Sequence, residues 1–270
     1  MDVVAAILGS AFQELPHQID LEPLEVDTPW GRQRLHRMRD AERPAYVKFR
    51  HGLPHRLLPN QINYRAQAWA LREVGCDALL VTSSVGVLDA DVLIYEPLLV
   101  EDCIMLENRL PDGSACTMFE TPSADHGHLV LDDGLFSSTL NDQIRDIAGA
   151  VNASIADDVV FAYVGGPRGK TAAENRLWPK LGAQVNSMTL APEVVLANEL
   201  KIPCAGLVVG HKYSLPDRDV PDDRAAMADT LDRSREEQER IVIRFLRQGT
   251  AVPFENQLFQ FDHTAEDARL

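Results

Sequence analysis

Short runs of apolar, often β-branched residues alternate along the chain with longer stretches in which apolar side chains recur every three or four positions. Such runs are typical of buried strands, and the longer stretches are typical of amphipathic helices. The pattern predicts strands at residues 3–8, 45–49, 78–82, 92–95, 159–164 and 205–209. It predicts helices at residues 60–74, 140–153, 171–181, 192–200 and 223–248.

Strands and helices in alternation predict an α/β fold, in which helices flank a mixed, mostly parallel central sheet. The stretch around Thr28-Pro29-Trp30-Gly31 is different, because it indicates a turn in an antiparallel hairpin beside that sheet. The 270 residues contain no internal repeat. We therefore expect one domain over residues 1–250 and a C-terminal tail over residues 251–270.

The composition is that of an ordinary soluble globular protein, with 45% hydrophobic and 25% charged residues. It excludes disordered, collagen-like and disulfide-scaffold proteins. The 26 basic and 41 acidic residues give a net charge of −15. An acidic surface repels phosphate backbones, so we expect no nucleic-acid partner, although a local basic pocket for a small anion is compatible with it.

Signals for a membrane, secretion or a metal are weak. No apolar run approaches the roughly 18–20 residues of a membrane span, and the N-terminus reads as a strand because it lacks the basic start of a signal peptide. His126 and His128 lie in a loop without metal-site spacing. The cysteines form no CxxC pair, which favours free thiols in a reducing cytoplasm: Cys76, Cys103, Cys116 and Cys204.

Candidate chemistry lies in polar clusters at the ends of predicted strands, where open α/β sheets bind ligands. Gly9-Ser10 follows the first strand, and a glycine there lets the backbone approach a ligand. Arg50-His51-Gly52 follows the strand at residues 45–49, and a guanidinium is a planar fork of donors suited to phosphate. A plain turn and a surface ion pair are the structural alternatives for these two clusters.

Two further clusters carry hydroxyl groups. The segment Thr82-Ser83-Ser84 ends an apolar strand, and Ser187-Met188-Thr189 precedes a predicted helix whose N-terminal N–H groups favour anions. Helix capping is the alternative for both. Taken together, the four clusters indicate a pocket for a phosphate-like anion, with no carboxylate pair or Ser-His-Asp order competing.

Longer motifs resemble those of a known family. One runs from Arg50-His51-Gly52 through His55, Pro59 and Asn63-Tyr64 to Ala66 and Trp69-Ala70-Leu71. Others are residues 81–86, Gly166-Pro167-Arg168 with Ala173-Glu174 and Gly182-Ala183, and Met188-Thr189 with residues 191–197. Over roughly residues 3–250 the chain resembles the nucleoside phosphorylases, within them the trimeric 5′-methylthioadenosine phosphorylases and their methylthioinosine and purine nucleoside relatives.

The resemblance implies reversible phosphorolysis, in which a nucleoside and inorganic phosphate give a purine base and ribose-1-phosphate. It implies a homotrimer or a dimer of trimers, with phosphate as co-substrate and no other cofactor or metal. By aligned position it assigns phosphate binding to Ser10, Arg50, His51, Thr82, Ser84 and Thr189. It places Met188 against the ribose and His55 near the phosphate entrance, and we expect catalytic roles for His51 and Lys212.

The base end departs from the family. Gly169 stands where an aromatic ring would stack on the base, and Lys212 and Ser214 stand where aspartates would contact it. An ammonium group only donates hydrogen bonds, so Lys212 would reject the adenine amino group and favour a carbonyl-bearing base, or protonate the leaving nitrogen. The alternative is that Lys212 points to solvent. Loss of the stacking ring weakens base binding by about 1–3 kcal/mol.

Several functions therefore stay open from the sequence. Phosphorolysis of a purine or 5′-modified nucleoside with altered base preference is the main prediction. Phosphorolysis of a non-purine nucleoside in specialised metabolism, hydrolysis by water, and a non-catalytic nucleoside- or phosphate-binding role are the alternatives. At the 5′ end of the sugar, the family borrows a histidine from a neighbouring subunit, and His126 and His128 are both candidates.

Overall fold

The computed structural model describes residues 2–121, 123, 126–215 and 224–260, with only the backbone given for residues 224–230. It has a central mixed sheet flanked by helices, as the pattern predicted. The strands of the sheet are β1 Val4–Leu8, β2 Leu21–Val26, β3 Gln33–Met38, β4 Ala45–Phe49, β5 Ala78–Val87, β6 Pro97–Ile104, β8 Asp157–Tyr163, β9 Val185–Ser187 and β10 Cys204–Tyr213. The strands β7 His128–Val130 and β11 Gln257–Phe259 pair with each other apart from it.

The sheet closes on itself along one half. Strand β1 lies between β4 and β5, parallel to both, and β3 and β2 extend that edge in antiparallel pairing. Beyond β5, the strands β10, β6, β8 and β9 pair in turn, and β9 pairs back with β5. Five strands therefore form a ring, and β5 belongs both to the ring and to the open part of the sheet.

Helices cover both faces of the sheet, so its central strands are apolar on both sides. They are α1 Tyr64–Glu73, α2 Ser138–Ala150, α3 Ala172–Leu177, α4 Ala191–Glu199 and α5 Arg224–Gln248. One core cluster includes Leu71 of α1 and Val194 of α4, and the other includes Ile144 of α2 and Phe245 of α5. All five residues of β1 are buried between these layers, which fixes the strand ends that carry the polar clusters.

The predicted hairpin is confirmed as β2–β3, whose turn carries a hydrogen bond from Gly31 N to Thr28 O of 3.0 Å. The strand predicted at residues 92–95 is wrong. Val92 and Tyr95 are buried, but they lie in bends, and Tyr95 has a positive φ of 68°. The strand begins only at Pro97, and the residues before it form an irregular segment in which Leu93 is exposed.

The helix predicted at residues 60–74 begins later, at Tyr64, because the Asn63 side chain accepts a hydrogen bond from Ala66 N of 3.1 Å and caps it. The predicted helix at residues 223–248 is α5, although Asp223 itself lies outside the described residues. Within the predicted tail, residues 261–270 also lie outside them. The helices that the structure describes include none long and apolar enough to cross a membrane.

Candidate active site

A cavity of about 300 Å³ lies at the carboxyl ends of β1, β4 and β5. It brings together five of the six predicted phosphate ligands, namely Ser10, Arg50, His51, Ser84 and Thr189. The remaining lining residues are Gly9, Pro59, Ser83, Val85, Gly86, Lys170, Asn186, Ser187, Met188, His211 and Lys212. The four polar clusters seen in the sequence therefore converge in space.

The guanidinium group of Arg50 is anchored through one of its nitrogens, Nε. Its side chain is only 1% exposed, and its Nε donates to the carboxylate of Glu193 near the start of α4. Glu193 also accepts from Gln67 Nε2 at 3.1 Å and from Leu190 N at 2.7 Å. Within the part of the chain that the structure describes, Arg50 Nη2 is buried and has no hydrogen-bond partner. A water molecule or an anion would satisfy a buried donor of this kind.

His51 presents a neutral ring. Its Nδ1 lies 2.8 Å from Leu57 O, and since a carbonyl only accepts, Nδ1 carries the proton. Burial lowers the pKa of His51, and the charge of Arg50 lowers it further. The ring stacks on His55 with centroids 4.4 Å apart, which accounts for the position of His55 beside the cavity.

The three hydroxyl groups at the end of β5 have different tasks. Thr82 is fully buried, accepts from Gly9 N at 3.0 Å and donates to Ile7 O at 3.2 Å, so it lies behind the cavity wall. Ser83 lines the cavity, with its Oγ 3.1 Å from Ser187 Oγ and 3.3 Å from Thr189 Oγ1. The hydroxyl cluster seen in the sequence included Ser83, but the motifs assigned phosphate binding to Thr82 and Ser84 instead.

Gly9 and Gly166 allow close approaches at this end of the sheet. A Cβ at Gly9 would lie 3.2 Å from Arg50 Nη1, and one at Gly166 would lie 2.6 Å from Met188 Sδ. Gly166 thus sets the position of Met188, the predicted ribose contact. Next to it, Thr189 is buried just before the N-terminus of α4, where the helix dipole is positive.

A second cavity, of about 370 Å³, adjoins the first and shares Lys170, Met188 and Lys212 with it. It brings together the three predicted base contacts Gly169, Lys212 and Ser214. Lys212 is exposed and borders both cavities. Ser214 is buried, and its backbone N–H donates to Val87 O at 2.6 Å. A Cβ at Gly169 would meet no atom within 4 Å, so the space of the missing aromatic ring is open.

Lys170 and His211 also line the first cavity, and neither was predicted from the sequence. The ammonium group of Lys170 donates to Asn186 Oδ1, and burial together with the charge of Lys212 lowers the pKa of Lys170. His211 Nε2 lies 3.1 Å from Ser84 Oγ, and burial lowers its pKa. The signal for Lys170 was its place beside Gly169. No sequence signal pointed to His211, because β10 has a register shift between Gly210 and Lys212, and such a shift redirects side chains.

The two cavities together are suited to anion chemistry. Among the described residues that line them, three are cationic, namely Arg50, Lys170 and Lys212, and none is a carboxylate. Fixed donors in a partly buried site stabilise negative charge without reorganising. The described residues also contain no group of three or more His, Cys, Asp or Glu residues able to hold a metal ion.

Comparisons with known proteins identify the family and the fold. The sequence profile of the Phosphorylase superfamily matches residues 3–247. A probable S-methyl-5′-thioinosine phosphorylase of Methanopyrus kandleri is 34% identical over 218 residues, which are 79% of this chain and 80% of the relative. A 6-oxopurine nucleoside phosphorylase of Pyrococcus furiosus is 28% identical over the same shares.

Among solved structures, the methylthioadenosine phosphorylase of Schistosoma mansoni in complex with tubercidin has the same fold, with a TM-score of 0.78. The match covers 91% of this chain and 90% of that one at 21% identity. The resemblance predicted from the motifs is therefore confirmed. This chain belongs to the phosphorylase superfamily and is one of its nucleoside phosphorylases.

Proposed function

We propose that this nucleoside phosphorylase acts on 6-oxopurine nucleosides or their 5′-modified analogues, and not on adenine nucleosides. The observation that carries the proposal is the donor set of the second cavity. Lys170 and Lys212 border it, and its described lining contains no carboxylate. An ammonium group donates to the carbonyl oxygen of hypoxanthine or guanine but has no acceptor for the 6-amino group of adenine.

The proposed phosphate site uses Arg50 as its main charged donor, with Ser10, His51, Ser84 and Thr189 around it. We add Ser83 to this set, because its hydroxyl lies within 3.3 Å of the Thr189 hydroxyl. Thr82 enters as a positioning residue, since its hydroxyl holds the backbone N–H of Gly9 at 3.0 Å. Phosphate fixed in this way attacks C1′ of the sugar as the bond to the base stretches, so positioning and electrostatics supply most of the rate enhancement.

At the other reactant, Met188 is proposed to contact the ribose, and Gly169, Lys212 and Ser214 the base. His51 and Lys212 keep their predicted catalytic roles: His51 orients phosphate, and Lys212 meets the charge that develops on the base. The names of the relatives point both ways. One is a probable S-methyl-5′-thioinosine phosphorylase and another a 6-oxopurine nucleoside phosphorylase, whereas a relative from Thermofilum pendens is named an S-methyl-5′-thioadenosine phosphorylase. The proposed preference for an oxygen at position 6 therefore rests on the two lysines.

The family resemblance also supports the proposed setting of the enzyme. We expect a cytoplasmic homotrimer, or a dimer of trimers, that takes inorganic phosphate as co-substrate and needs no other cofactor. Sedimentation of the purified chain of 30.0 kDa tests the assembly directly. A monomer that is fully active would remove the trimer from the proposal.

The test of function is a turnover panel. Purified protein is incubated with adenosine, inosine, guanosine, methylthioadenosine and methylthioinosine, each with and without phosphate, and the released base is quantified. We expect phosphate-dependent release from the 6-oxopurine members. Release without phosphate would indicate hydrolysis, and silence across the panel, with phosphate binding intact, would indicate a non-purine substrate or a binding role.

The variant Lys212→Asp tests the base contact. A carboxylate accepts from the adenine amino group, so adenosine should gain on inosine by roughly 10- to 100-fold in kcat/KM. Lys180→Asp, an exposed lysine outside both cavities, is the matched control for charge. An unchanged ranking in Lys212→Asp would remove this residue from base recognition.

A further inference from the structure

The two lysines at the junction of the cavities have no counter-ion. Neither ammonium group forms an ion pair within the described residues, and Lys170 is held by the neutral side chain of Asn186. The nearby acid Glu174 is already bound to Arg168 through contacts of 2.7 and 2.9 Å, and it caps α3. In a protein of net charge −15, two uncompensated cations side by side indicate a site prepared for negative charge.

That charge differs from the charge of phosphate. Arg50 and the hydroxyl groups of β5 surround the first cavity at the sheet edge, whereas both lysines also border the second cavity beside Gly169. Phosphate bound at Arg50 does not fill the second cavity. The negative charge that arises there during the reaction is the charge left on the base when the C1′–N bond breaks.

We propose that Lys170 and Lys212 form a paired ammonium site for the departing base as an anion, and that the preferred substrates are nucleosides of acidic oxopurines, above all 2,6-dioxopurines. The inference rests on the proposed function and names its substrate class further. Lys170 is held in place by Asn186 at the junction, and Lys212 supplies the second, exposed charge.

The step balances without an acid in the site. An oxygen of hydrogenphosphate forms the bond to C1′, and the C1′–N bond breaks with its electron pair remaining on the base. The base leaves as an anion paired with the two ammonium groups. The sugar phosphate then releases the proton of hydrogenphosphate to water, and the base anion takes a proton from water as it leaves.

A methylated substrate separates this role from general binding. Inosine loses its base as an anion, whereas 7-methylinosine already carries a positive ring and loses a neutral base. In Lys170→Gln and Lys212→Gln, kcat/KM for inosine should fall by roughly 100-fold, as when a transition-state donor is removed. For 7-methylinosine it should fall by less than about threefold, because no anion forms. Lys180→Gln should leave kcat/KM unchanged for both substrates. An equal loss of kcat/KM for both substrates in Lys170→Gln and Lys212→Gln would overturn the proposal.

A binding measurement decides the matter without turnover. Xanthine, a 2,6-dioxopurine that ionises near neutral pH, is titrated calorimetrically into wild type and both variants between pH 6 and 9. We expect wild type to bind xanthine more tightly as it ionises, and the variants to lose this gain. If the turnover panel is silent, the proposed function fails, but this titration still tests the lysine pair.

Inorganic phosphate is the second titrant. Its affinity should change by less than about threefold in Lys170→Gln, and by far more in Arg50→Ala. A loss of phosphate affinity in Lys170→Gln as large as the loss of xanthine affinity would assign the lysines to the phosphate site and overturn the proposal.

Discussion

The two ends of the site are built by different means. At the phosphate end, buried side chains are fixed by partners on neighbouring strands and on α4, as with Arg50 on Glu193 and Thr82 on Gly9. At the base end, Lys212 is exposed, Gly169 faces open space, and β10 is irregular at His211. In the proposed function, phosphate is therefore bound by side chains that the sheet and α4 fix, whereas the residues proposed to select the base can change without disturbing the core.

The largest expected effect at the phosphate end comes from substitution of Arg50. Arg50→Ala removes the buried guanidinium, so the KM for phosphate should rise by roughly 100-fold or more. It also leaves the Glu193 carboxylate buried without its cation, which should lower the free energy of unfolding by about 3–5 kcal/mol. Phosphate kinetics and urea unfolding measure the two effects.

The double variant Arg50→Met with Glu193→Gln separates them. It removes both charges together, so the free energy of unfolding should recover while the KM for phosphate stays high. Recovery of phosphate affinity in the double variant would show that Arg50 acts on structure alone.

A smaller effect distinguishes two neighbours on β5. Ser83→Ala should raise the KM for phosphate by roughly tenfold, since a hydrogen bond to a charged group contributes about 1.5–3 kcal/mol, and should leave stability unchanged. Thr82→Ala should instead cost about 1–3 kcal/mol of stability, because Gly9 N loses its buried acceptor. If Thr82→Ala raised the KM for phosphate and Ser83→Ala lowered stability instead, Thr82 would be the residue that binds phosphate.

The pH dependence of kcat/KM tests the charge of Lys170 at the base end. The pKa of Lys170 is lowered by burial and by Lys212, while Glu174 raises it. A lysine with a lowered pKa is charged at low pH and loses its charge as pH rises, so kcat/KM for inosine should fall on the alkaline side. Lys212→Gln removes a charge that lowers the pKa of Lys170, so the alkaline fall of kcat/KM should move to higher pH. Glu174→Gln removes a charge that raises this pKa, so the fall should move to lower pH. If the alkaline fall of kcat/KM stays at the same pH in both variants, a residue other than Lys170 causes it.

The smallest expected change is a gain. Gly169→Phe restores a ring where a Cβ meets no atom within 4 Å, and stacking on the base contributes about 1–3 kcal/mol. The KM for a purine nucleoside should fall about fivefold, measured beside Gly169→Ala, which adds a Cβ without a ring. Equal KM values in the two variants would show that the open space does not face the base.

The convergence of the residues proposed to bind phosphate could be predicted, because they follow strand ends in short contiguous motifs. Arg50 and His51 come directly after β4, and Ser10 after β1, so local pattern and sheet geometry sufficed. The choice between Thr82 and Ser83 was harder, because a strand end offers both faces and only the neighbouring backbone decides between them.

The base end depended on contacts distant in sequence. Lys170 joins the site through Asn186, sixteen residues further on, and His211 reaches Ser84 across a separation of 127 positions. The register shift in β10 and the closure of the ring by β9 leave no periodic trace in the sequence. In residues 92–95, Val92 and Tyr95 are buried but Leu93 is 57% exposed, so the apolar pattern predicted neither the burial of each position nor the geometry.

The ring of strands has a consequence for how the protein is made. Strands β5 and β6 follow each other in the chain, yet they do not pair: β10, which comes about a hundred residues later, lies between them on one side of the ring, and β8 and β9 lie between them on the other. Until Cys204–Tyr213 has been synthesised, β5 lacks its parallel neighbour on that side, and pairing so distant in sequence is slow. Ser83 and Lys212 therefore come to line the same cavity only at this last closure, and a nascent chain that holds all of β4 and β5 still has no complete site.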